Sequence, residues 1–208
     1  MTLKRTLDRL YKEYDFQGRI AHDPIEFPHR YQRPADIEVS GFIASCLAYG
    51  RVDLFKPVVA KILVVMGESP ADFLLHFSPK KQASLFSGIK YRFNENEDIL
   101  CLLYALHKVL NTQGSIEAAF MEQYSPDDHD TGSGLKGLVE TMLRIDTKPV
   151  CGRNIKTPGF LQFIPSPVKG SGCKRMNLFL RWMVRDKDID FGIWKGIPKN
   201  RLVIPLDT

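Results

Sequence analysis

The sequence predicts an all-α protein, and three observations carry that prediction. Apolar residues recur at spacings of three and four over most of the 208 positions. The strict apolar–polar alternation of a half-buried strand is nearly absent. Short polar residues stand where the periodic runs begin: Asp36 and Ser115 open helices, and Ser69 and Ser78 are placed as N-caps that accept from first-turn amides.

Taken in order, residues 2–15 read as a helix with Leu3, Leu7, Leu10 and Tyr14 on one face. A loop rich in His, Pro and Arg follows. Asp36 to Tyr49 is almost wholly apolar, as in a helix buried on most sides. The break Tyr49-Gly50-Arg51 leads to a second apolar helix, Leu54 to Met66. Ser69 and Ser78 open two short helices, and further helices span Asp98 to Leu110, Ser115 to Tyr124 and Leu135 to Ile145. The chain length suits one helical domain, with two expected subdomains: about 36–145, and 146–208 with a contribution from 1–35.

Two apparent motifs are set aside. The acidic loop Pro126 to Gly132 lacks the later acids and closing Glu of a calcium loop, since the position where that Glu belongs is Val139. The pattern Gly132-Ser133-Gly134-Leu135-Lys136-Gly137 follows an acidic loop rather than a strand, so it is not a dinucleotide fingerprint. The five histidines and four cysteines show no ligand spacing, so no metal and no cofactor is expected. Scattered cysteines read as reduced thiols of a cytoplasmic protein. No apolar run approaches the roughly 18 residues of a membrane span.

Charge is unevenly distributed. Residues 146–208 hold 12 Lys and Arg against 5 Asp and Glu, whereas 1–145 hold 17 against 19. A positive charge confined to one segment is the footprint expected for nucleic acid, and equally what an ordinary solvated basic surface would show. Within that segment lies Val168-Lys169-Gly170-Ser171-Gly172-Cys173-Lys174-Arg175. Two glycines two apart permit a tight bend. An amphipathic helix from Cys173 to Val184 starts at once, so its unpaired amides would face outward and hold a phosphate. Lys174 falls in the first turn, where the positive end of the helix dipole disfavours its protonated form. Lys174, Arg181 and Arg185 share one face of that helix. Thr147 to Pro167, broken by prolines, reads as a lid or a connector, with Phe160 and Phe163 either lining a base pocket or serving structure.

The hairpin resembles the helix-hairpin-helix signature of DNA glycosylases of the endonuclease III kind. That family places its Schiff-base lysine two residues after the second glycine, where Lys174 stands. It places an essential aspartate after a later extended apolar run, where Leu202 to Thr208 stands with Asp207 as the match. The 33-residue separation is closer to the archaeal 8-oxoguanine glycosylase branch. Ser171 departs from the apolar residue usual between the glycines. The whole chain resembles a bacterial family of conserved hypothetical proteins through Lys169-Gly170-Ser171, Cys173-Lys174-Arg175, Asn177 to Arg185 and Ile204 to Thr208.

The resemblance implies a glycosylase-like helical fold whose C-terminal helices after Asp207 are apparently missing, with an incomplete core there and weak or no activity. It implies a DNA N-glycosylase/AP lyase with Lys174 and Asp207 catalytic. It implies DNA contacts from Val168, Lys169, Gly170, Ser171, Gly172, Arg175 and Arg181. Carried over by position, Tyr49 and Arg51 occupy the loop that enters DNA in that family, though a helix terminus with a structural Tyr fits Tyr49 as well. The expected partner is duplex DNA with a damaged or modified base. The alternative is a non-catalytic nucleic-acid-binding helix-hairpin-helix protein.

Overall fold

A computed structural model describes residues 2–205. Among these the regular elements are helices, and the only β feature is a bridge between Tyr91 and Asn94. The α-helices are α1 (Leu3–Glu13), α2 (Phe16–Ile20), α3 (Pro34–Leu47), α4 (Val52–Met66), α5 (Pro70–Leu75), α6 (Pro79–Gln82), α7 (Asn96–Gln113), α8 (Ile116–Met121), α9 (Gly132–Arg144), α10 (Lys148–Cys151), α11 (Pro158–Phe163) and α12 (Lys174–Val184). The all-α expectation holds, and one cluster of buried residues runs from Ile25 to Ile197. None of the described helices is long and apolar enough to cross a membrane.

The central helix is α3. From Asp36 to Leu47 each residue is buried, which is why its sequence has no polar face. Helix α12 packs against it, with Phe42 meeting Phe179 edge-on at 5.2 Å. Gly41 sets that approach, since a Cβ there would sit 3.2 Å from Met183 Cε. Burying each such aromatic stabilises the fold by roughly 1.5–3 kcal/mol.

Two buried carboxylates on α3 organise its neighbours. Asp36 accepts from the Ser69 hydroxyl at 2.8 Å and the Ala71 amide at 2.9 Å, closing the start of α5. Glu38 accepts from the amides of Ile116 and Glu117 and from the Trp194 indole, each at 2.9 Å. It therefore caps α8 and anchors the C-terminal segment together.

A third shared carboxylate positions the hairpin. Asp98 accepts from the Glu95 amide at 2.8 Å within the capping box of α7 and also from the Thr157 hydroxyl, the N-cap of α11. A Cβ on Gly159 would overlap the Asp98 carboxylate. Gly159→Ala is expected to cost roughly 1–3 kcal/mol, as overpacking does; a urea midpoint equal to the wild-type value would show that this junction yields freely.

The helix expected at the N-terminus is present as α1, and its apolar stripe is largely open: Leu3, Leu7 and Leu10 are more than half exposed, no residue of the helix is buried, and Tyr14 meets the Phe16 ring edge-on at 4.7 Å. Of the two readings of Phe160 and Phe163 the structural one holds, since both are fully buried core residues. The proline-broken stretch before the hairpin holds two short helices, α10 and α11, joined by irregular chain. Gly134 serves helix packing, since a Cβ there would overlap the Phe120 ring. Ser69 caps as expected, accepting from the Asp72 amide at 3.2 Å. Ser78 makes no side-chain cap, and its own amide instead donates to Gln82 Oε1 at 2.7 Å.

Candidate nucleic-acid interface

The bend between α11 and α12 is built from one 3-10 turn and two left-handed residues. Pro167–Lys169 form the turn, and the Gly170 amide closes it on the Pro167 carbonyl at 3.0 Å. Gly170 takes φ +74°, the conformation its missing Cβ permits. Gly172 is not left-handed; Cys173 is instead, at φ +46°. A Cβ on Gly172 would meet Pro205 Cβ at an ordinary 4.0 Å, so neither backbone angle nor close packing demands glycine there, and the bend runs beside the C-terminal segment. Helix α12 begins at Lys174, one residue later than expected.

Val168, Lys169, Gly170, Ser171 and Gly172 are all exposed. Among the described residues the amides of Ser171, Gly172 and Arg175 have no main-chain acceptor. The Cys173 amide is satisfied by Ser171 Oγ at 3.2 Å. Asn177, one turn into the helix, donates to the Gly172 carbonyl at 3.0 Å and holds the bend against α12. Two successive amides on exposed residues, those of Ser171 and Gly172, stand just ahead of a helix start, an anion-accepting geometry.

Beside the bend opens a cleft of ≈ 480 Å³. One wall is the face of α12 carrying Lys174, Leu178, Arg181 and Arg185. The other is the extended segment Leu202, Val203, Ile204 and Pro205, and Ala48, Arg175, Asn177 and Lys199 complete the lining. Lys174 is exposed and lines this cleft. Asp207 lies outside the described residues.

The arginines behave differently from their reading as a phosphate stripe. Arg181 and Arg185 do share the cleft-lining face. Yet both bind Asp190, whose side chain is fully buried, and Arg185 also binds Asp188 at 2.6 Å. Lys199 pairs with Asp186. Much of the stripe's charge is thus balanced inside the protein.

Arg175 is drawn inward. Its guanidinium donates to the carbonyls of Cys46 and Gln162, in the last turns of α3 and α11. It also lies 5.1 Å from the centre of the Tyr49 ring. One side chain thereby closes two helix C-termini, where the dipole favours a cation. Burial lowers its pKa from the usual value, a desolvation cost that those partners offset. Arg175 is bound within the fold rather than presented to solvent.

Tyr49 is likewise built in. It is half-buried, its hydroxyl donates toward Asn94 Oδ1, and the Tyr91 carbonyl lies at 3.2 Å. Burial, first among the causes, pushes its phenol up to about 12. Gly50, at φ +75°, lets the chain pass close to the Tyr91 hydroxyl, 2.8 Å from where a Cβ would stand. Arg51 is exposed and forks onto Asp53 at 2.7 and 3.0 Å, away from the cleft lining. Lys199 and the turn Tyr91–Asn94 beside Tyr49 are not among the residues that the sequence singles out, whereas the 202–205 wall is part of the extended apolar run that it does. The signal for that turn is Lys90-Tyr91-Arg92-Phe93, basic and aromatic residues interleaved.

Fold and site together define a class: an all-α protein in which a glycine-bent hairpin opens the helix that walls a basic, apolar-backed cleft. More particularly, the chain belongs to the family described as protein of unknown function DUF2400, whose match covers residues 23–208 and so leaves α1 outside it. No curated protein and no solved structure matches the chain.

Proposed function

We propose that this protein binds nucleic acid through the 168–174 bend, with a strand phosphate on the exposed amides and the adjoining cleft facing the sugar and base. The observation that carries this reading is the juxtaposition of those amides with Lys169 and Lys174 at the mouth of a cleft of ≈ 480 Å³, a size suited to a nucleotide unit. Binding of this kind falls steeply as salt rises. A labelled DNA duplex titrated at several salt concentrations tests it, and affinity that ignores salt would sink it.

A second reading is favoured by the position of Lys174 as the first residue of α12 on the cleft wall. In it the protein is a helix-hairpin-helix DNA glycosylase/AP lyase. The Lys174 amine attacks C1′ of a flipped nucleotide, the base leaves with the glycosidic electron pair and is protonated by water, and the nitrogen passes one proton to O4′ as the C1′–O4′ bond breaks, leaving an iminium. Asp207 would steer the amine and steady the cationic sugar. Borohydride reduces such an iminium to a stable amine, so wild type should become covalently joined to DNA carrying an abasic site or damaged base. Lys174→Ala should abolish the adduct while weakening duplex binding only by the loss of one cation, a fall of about one in the salt slope. Equal trapping by both proteins removes the catalytic reading and leaves the binding one.

A further inference from the structure

We infer that Phe93 is a stacking platform for an unpaired nucleobase, and that the strand this protein grips is single-stranded or locally opened. The inference rests on the nucleic-acid reading above and adds to it the form of the substrate.

The turn from Tyr91 to Asn94 is closed by two main-chain bonds, at 2.9 and 2.8 Å, leaving only Arg92 and Phe93 at its tip. Arg92 holds φ +54°, a left-handed conformation that non-glycine residues rarely adopt and that persists only where its surroundings enforce it. Enforcement is visible. Asn94 is fully buried and donates to the Gly159 carbonyl of α11 at 2.9 Å, while the Tyr91 hydroxyl donates to the Tyr49 carbonyl. The tip is thus bolted both to the first helix of the hairpin and to the end of α3.

What this scaffold presents is an exposed aromatic ring. Phe93 is 57% exposed. It stacks on Tyr49 with centroids 5.6 Å apart and planes 29° from parallel. The Tyr49 ring also has Arg92 at 5.9 Å and Arg175 at 5.1 Å. A base laid on the outer side of Phe93 would extend this stack by one layer.

Charge agrees with that occupant. Lys90 and Arg92 are exposed, and neither pairs with a carboxylate among the described residues, in contrast to Arg181 and Arg185. A ring flanked by uncompensated cations matches a base flanked by phosphates. Position agrees as well. Ala48 and Arg175 line the cleft, and Tyr49 follows the one in sequence and touches the other. Base and phosphate sites therefore lie side by side. A ring buried between paired bases could not reach Phe93, so the ligand must offer an unpaired base.

The test uses the full chain and a fluorescent thymidine oligonucleotide of about 15 residues, compared with the duplex of the same sequence. Wild type should prefer the single strand. Phe93→Ala should weaken single-strand binding roughly ten-fold, as loss of one base–aromatic stack does, with duplex binding little changed. Phe93→Tyr should restore it, and both variants should unfold with the wild-type urea midpoint because the ring is exposed. With 2-aminopurine in the strand, wild type should quench its fluorescence and Phe93→Ala should not. If wild type binds nucleic acid in a salt-dependent way but Phe93→Ala binds equally well, the platform is wrong and the hairpin reading stands. If wild type shows no salt-dependent binding to either form, both are wrong.

Discussion

Replacing Arg175 with leucine should destabilise the protein by roughly 3–5 kcal/mol while leaving the salt dependence of nucleic-acid binding unchanged. The reasoning is local. The guanidinium donates to the Cys46 and Gln162 carbonyls, among the last of α3 and α11. Hydrogen bonds from a charged donor are worth roughly 1.5–3 kcal/mol each, and a cation over a desolvated ring adds on the order of 1–2 kcal/mol. Leucine recovers part of the packing and none of the polar contacts. Arg175→Lys should fall between, because a single ammonium cannot fork between two carbonyls. Urea unfolding measures the loss. A cost under about 1 kcal/mol would mean the guanidinium is not engaged as described. The binding arm separates structure from contact. A phosphate-contacting cation, once removed, lowers the salt slope by about one. That drop is expected for exposed Lys169→Ala and not for Arg175→Leu.

Arg175 also shows where sequence reasoning stops. Its charge and its place in the first turn of α12 are legible, and both suggest a solvent-facing cation. What buries it is the meeting of two helix C-termini drawn from residues 13 and 129 positions away, which no local pattern encodes. The same limit applies to α1. Periodicity reports that one face is apolar, and it cannot report whether another element covers that face. Arg181 and Arg185 are an intermediate case. Their common face is legible from helical spacing, and Asp186, Asp188 and Asp190 follow closely enough to warn of neutralisation. Helices α7 and α12 are legible because each buries a continuous apolar stripe, and α3 because it is apolar on all sides. The bend was legible from its glycines, although only Gly170 uses the left-handed region and Cys173 supplies the second such residue. The Arg92–Phe93 tip was passed over because four residues carry no periodicity. Its strain and exposure exist only in three dimensions.

Glu38→Ala is expected to cost roughly 3–5 kcal/mol, a large part of a typical total of about 5–15 kcal/mol. Three N–H donors would lose their acceptor: two at the start of α8 and the indole of Trp194, which is itself buried and packed on Phe120 and Phe179 at 5.6 and 5.4 Å. Each buried donor left unmade costs about 1–3 kcal/mol. Glu38→Gln keeps one acceptor oxygen but turns an NH2 toward a donor, so its cost should be smaller without vanishing. The pair also isolates a pH effect. Burial raises the Glu38 pKa above the usual carboxylate value, and the three donors offset only part of that rise. A carboxyl raised on folding binds more protons in the native state than in the unfolded one. Its stability contribution is therefore complete below the ordinary carboxylate range and is lost as pH climbs through the raised folded value. The advantage of wild type over Glu38→Gln should accordingly shrink from acid toward neutral pH. Because other carboxylates titrate alike in both proteins, the difference between their urea unfolding energies at each pH reads this one group. A difference that grows with pH would show that the donors outweigh burial and that Glu38 folds as a low-pKa carboxylate.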